Sequence, residues 1–89
     1  MSYIMIDKVI NTEIKPVALK CVMLVLAHFS DENGDNCHPS HATIAKYSGM
    51  SKAAVKETIE KLCKAGLLLK QERRDTNKRQ TSNAYKITL

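Results

Sequence analysis

Between Tyr47 and Val55 the chain reads YSGMSKAAV, and no other stretch restricts the fold as much. Gly49 closes one apolar-periodic segment and Ser51 opens the next, two residues later. Glycine readily takes the left-handed backbone conformation that stops a helix, and serine accepts a hydrogen bond from a free N–H in a helix's first turn. Met50 before Ser51 and Val55 four positions after it form an apolar pair that fixes how the chain enters the second helix. A stop and a start this close leave no room for a linker, so the two helices must meet at a steep angle.

The upstream helix is expected over 40–48. Ser40 caps it, and Ile44, Ala45 and Tyr47 give a partial apolar stripe. The downstream helix is expected over 51–65, where Val55, Ile59, Leu62 and Cys63 recur at i, i+4, i+7 and i+8 as the buried face and Gly66 follows as the stop. Earlier, KPVALKCVMLVLAHFS predicts a core helix over 15–30, with Pro16 in its first turn. Val17, Leu19, Val22, Met23, Leu24, Val25, Leu26 and Phe29 leave it almost no polar face, so protein must nearly surround it. DENGDN then breaks the pattern with turn residues. The N-terminal segment, 1–14, fits both strand and helix spacing.

After Gly66 come two short extended runs, LLLKQE and NAYKITL, separated by RRDTNKRQTS. Asn83, Tyr85, Ile87 and Leu89 alternate with Ala84, Lys86 and Thr88, which is the period of a strand with one buried face. A hairpin over 67–89 is the natural pairing. The 89 residues therefore form one domain, mainly α with a small β-hairpin: a three-helix core plus a two-stranded wing.

Charge divides the chain. Residues 1–39 hold three basic side chains against five acidic ones, and residues 40–89 hold eleven against four. A second half at +7 points to a polyanion partner such as nucleic acid, the alternative on charge alone being a solvated lysine-rich surface. Around Val55 as the inward centre, Ala53, Lys56, Glu57, Glu60 and Lys64 fall on the outer side of the second helix, flanked by Lys52 and Lys61. Small and basic residues at a helix start suit close approach to a DNA groove, and the helix dipole there favours phosphate. No apolar run reaches about 18 residues, so no membrane span is expected, nor is a secretory leader, and the expected location is the cytoplasm.

Competing chemistry finds little support. Cys37, His38 and His41 are zinc-binding types, but a structural zinc site takes four ligands in paired short spacings, and adjacent residues rarely face one ion. DENGDN fails calcium-loop spacing, since Gly34 would stand fourth and Ala42 twelfth. Cys37 with His28 or His41 supplies a thiol and an imidazole, but no oxyanion loop and no pocket for a small-molecule substrate. The expectation is no metal, no cofactor and no enzymatic activity. Cys21, Cys37 and Cys63, odd in number and widely spaced, read as reduced thiols.

CHPSHATIAKYSGMSKAAVKETIEKLCKAGLL followed by TSNAYKITL resembles the winged helix-turn-helix domain at the N-terminus of many phage and plasmid replication initiator proteins, and more loosely the winged-helix transcription regulators. The resemblance covers about residues 15–89 and implies binding to double-stranded DNA. It implies that Ser51, Lys52, Ala53 and Lys56 face DNA, that Ser40, His41 and Thr43 approach a phosphate, and that Arg73, Arg74, Lys78 and Arg79 act as wing. Glu57 and Glu60 depart from this pattern, since carboxylates repel phosphates. An alternative function is a winged-helix interaction or dimerisation module, with Tyr3, Ile4, Ile6, Val9 and Ile10 of the N-terminal segment docking on a second copy. A homodimer and DNA binding are compatible.

Overall fold

The computed structural model describes residues 3–35, 37–71 and 84–89. Four helices, α1 (Tyr3–Asn11), α2 (Val17–Phe29), α3 (His41–Ser48) and α4 (Lys52–Lys64), precede two strands, β1 (Leu68–Gln71) and β2 (Ala84–Ile87). The expected helical core with a two-stranded sheet is present, enlarged by one helix at the N-terminus.

That helix resolves the ambiguous segment. Met5 and Val9, one turn apart, are both buried against α2, whereas Ile4 and Ile10 of the period-two reading face outward. The Lys20 ammonium of α2 donates to the carbonyls of Ile10 at 2.8 Å and Thr12 at 3.1 Å, supplying a cation where the end of α1 leaves carbonyls unpaired.

Helix α2 packs against α1, α3, α4 and β2, and buries Leu19, Val22, Met23, Leu26 and Ala27. Two details differ from the sequence reading. Pro16 is the N-cap, one position before the first turn, and its carbonyl accepts from the Leu19 amide at 3.0 Å. Val17, the first helical residue, projects beyond the core and is 77% exposed.

The acidic turn does more than break a helix. Asp31 Oδ1 accepts from the amides of Asn33 and Asp35, both at 2.9 Å, which folds the segment on itself. The Gly34 carbonyl accepts from the Ile87 amide at 3.0 Å, and the Cys37 carbonyl accepts from Tyr85. The turn thus meets β2 at two backbone points, Gly34 and an isolated antiparallel bridge at Cys37. Gly34 has φ +81°, and a Cβ there would stand 2.7 Å from the Ile87 carbonyl oxygen, so both backbone angle and space demand glycine. On its other edge β2 pairs antiparallel with β1, in register from Leu68 opposite Ile87 to Gln71 opposite Ala84. Tyr85 and Ile87 point into the core as the alternation requires; Leu89 lies at the exposed margin and Asn83 lies outside the described residues.

Helix α4 buries Val55, Thr58, Ile59 and Leu62. Cys63, expected on that face, is only half-buried, and Thr58 takes the fuller burial.

Candidate nucleic-acid interface

Hydroxyl groups cap the starts of both α3 and α4. Ser40 Oγ accepts from the Thr43 amide at 3.1 Å and lies 3.0 Å from Thr43 Oγ1. Ser51 Oγ accepts from the Ala54 amide at 3.1 Å. Between them Gly49, at φ +74°, donates its amide to the Ala45 carbonyl at 3.0 Å. Nothing stands within 4 Å of a Cβ built at Gly49, so backbone angle rather than crowding requires the glycine. Met50 packs on the core cluster that includes fully buried Val55. Each helix therefore starts at a defined residue, and the first turn of α4 is presented outward.

Lys52, Ala53, Lys56, Glu57, Glu60, Lys61 and Lys64 are all exposed on α4. Glu57 pairs with Lys61 at 3.4 Å across one turn. Both side chains are more than half exposed, so the pair adds little stability, but it offsets the charge of one of the two carboxylates on this face.

Next to this helix start is His41, the first residue of α3. Its Nε2 shares a hydrogen bond at 3.3 Å with the hydroxyl of Tyr85, a buried residue of β2. Burial first, then the charges of Lys70, Lys56 and Lys52, hold its pKa below the usual imidazole value. One imidazole thus feels ammonium groups from α4 and from β1. Lys70 stands opposite Tyr85 in the sheet register.

Ser40, His41 and Thr43 come together at the start of α3, and Ser51, Lys52, Ala53 and Lys56 at the start of α4. Arg73, Arg74, Lys78 and Arg79 lie outside the described residues. Lys70 and Tyr85 were missed by sequence reasoning. The available signal was the strand period: Lys70 lies two residues after buried Leu68, so a basic residue follows on the apolar face.

The Cys37, His38 and His41 cluster separates. Cys37 is fully buried, its Sγ donates to the Leu26 carbonyl at 3.2 Å, and burial pushes the thiol up to about 12. His38 is exposed, and His41 turns to Tyr85. Among the described residues no three His, Cys, Asp or Glu side chains converge as metal ligands. An open groove of about 360 Å³ runs between α4 and β1, lined by Ile59, Glu60, Cys63, Lys64, Leu68, Leu69 and Lys70.

A family model described as a helix-turn-helix domain matches residues 13–68. The chain belongs to this family. In this helix-turn-helix domain the matched stretch runs from ahead of α2 to the first residue of β1, and so contains both helix starts described above. Helix α1, Lys70 and Tyr85 lie outside it. No curated protein and no solved structure matches the chain. No helix among the described residues is long and apolar enough to cross a membrane.

Proposed function

We propose that the protein is a non-enzymatic, cytoplasmic binder of double-stranded DNA. The start of α4 enters a major groove and the 67–89 hairpin, with its basic 73–80 segment, lies along the backbone. The observation that carries this reading is the exposure of Lys52 and Lys56 on the first turns of α4, on the two-helix frame of the helix-turn-helix family. Most of the affinity is electrostatic. Helix α4 carries no Arg, Asn or Gln to contact a base edge through two hydrogen bonds, so base readout falls to Lys52 and Lys56 and is modest. Replication initiation or transcription control in a phage or plasmid is the process the resemblance favours.

Fluorescence anisotropy with labelled duplex over a salt series tests the reading. With about five phosphates neutralised, log K falls with log salt at a slope of about −4 to −5. Absence of binding at low salt overturns it. Lys56→Ala is expected to weaken a selected site more than random duplex, whereas Arg74→Ala and Arg79→Ala weaken both alike. Sites selected from a random pool separate the processes: direct repeats favour an origin binder, a palindrome a regulator.

We also propose a second copy as the partner of α1. Tyr3 is 81% exposed, and Ile4 and Ile10 are exposed on the same short helix. Nine residues cover far less than the roughly 1,200 Å² of a stable interface, so pairing is expected on DNA rather than in free solution. Ile10→Asp is expected to abolish cooperative binding to a two-site duplex and leave one-site binding unchanged.

A further inference from the structure

We infer that DNA binding takes up a proton at His41, turning the imidazole held by Tyr85 and flanked by Lys52, Lys56 and Lys70 into a cationic contact for one backbone phosphate. This rests on the DNA-binding reading above and adds a pH control to it.

The geometry supplies each part. The Tyr85 side chain comes from the core, only 3% of the residue being exposed, so its hydroxyl is a fixed point from which the 3.3 Å bond holds the half-exposed ring in place. The facing groups are Lys52 and Lys56 from α4, Lys70 from β1 and the Tyr85 hydroxyl from β2, while Ser40 and Thr43 beside the ring are uncharged. The charges that act most strongly on His41 are therefore positive. Three ammonium groups and partial burial favour the neutral ring, and its pKa stands below the ordinary 6.5. Near neutral pH the free protein holds His41 uncharged.

A phosphate placed among these lysines reverses the balance. It cancels their field and adds a negative charge beside the ring, and both changes favour the imidazolium. The sign follows from linkage. A group whose pKa is higher in the complex adds affinity that is complete below its free pKa and is lost as pH rises through its bound pKa. One proton makes the affinity rise by at most about tenfold per pH unit fall. The lysines stay charged across this range, so they contribute a constant background.

The test is anisotropy with labelled duplex between pH 8 and pH 5.5 at fixed ionic strength, comparing the protein with His41→Gln. The affinity of the unaltered protein is expected to rise roughly threefold to tenfold more over this range than that of the variant. Its salt slope is expected to steepen by about 0.9 at the acid end, as one further ion is displaced. Equal pH dependence in both proteins overturns the inference and assigns the effect elsewhere, with His28 and His38 the other imidazoles. Absence of binding at any pH and low salt overturns the DNA reading itself. Should His41→Gln fail to fold, NMR titration of the His41 ring in the unaltered protein decides. An upward pKa shift on adding duplex supports the inference, and an unmoved ring overturns it.

Discussion

Helices α2 and α4 are both 13 residues long and are built for opposite duties. Helix α2 is apolar nearly all round, touches three other helices and a strand, and spends one of its few polar groups, Lys20, on closing the end of α1. Helix α4 carries four lysines and two glutamates and buries one stripe of four residues. In a domain this small, one helix supplies packing and another supplies an outward surface, so stability and binding are separable by position. A charged helix can serve as a surface here because its neighbour needs none.

The largest expected effect breaks the packing side. Leu26 is fully buried in α2, and Leu26→Ala should cost about 2–5 kcal/mol in urea unfolding. DNA affinity per folded molecule should stay the same; a change in it would show that the two helices are not separable. Gly34→Ala comes next, at roughly 1–3 kcal/mol, because the alanine must hold a positive φ and its Cβ meets the Ile87 carbonyl. Ser51→Ala removes the cap of α4 and should cost about 1 kcal/mol while also lowering DNA affinity, since it frays the end that is presented. Lys56→Ala sharpens the contrast from the other side. It should leave unfolding within about 0.5 kcal/mol and act on DNA binding alone.

These differences also explain what was legible in the sequence. The hinge could be read residue by residue, because caps and glycine stops act on their immediate neighbours: Ser40, Gly49 and Ser51 do locally what their chemistry demands. Helix α1 could not, since its apolar residues occur at both strand and helix spacings and only the surface of α2 chooses between them. The pairing of the acidic turn with β2 runs through backbone carbonyls that every sequence carries, and Gly34 alone hints at it. The candidate site was half legible. Lys52 and Lys56 follow from the face of α4, but the bond from His41 to Tyr85 spans 44 positions. It exists only because the sheet register brings Tyr85 beneath the start of α3. Cys37 is the opposite case: of a residue type suited to metal, it reads from the sequence as a reduced thiol and serves as a small core hydrophobe.

Among the described residues strand β2 is held on both edges, by β1 and by the turn at Gly34 and Cys37, whereas β1 is paired on one edge only. The two legs of the hairpin therefore have unequal tenure. The amides of Tyr85 and Ile87 donate to the turn and not to β1, so their protection from solvent exchange should follow the stability of α2 and its turn. If β1 lifts away, the strand that holds the His41 partner stays in place.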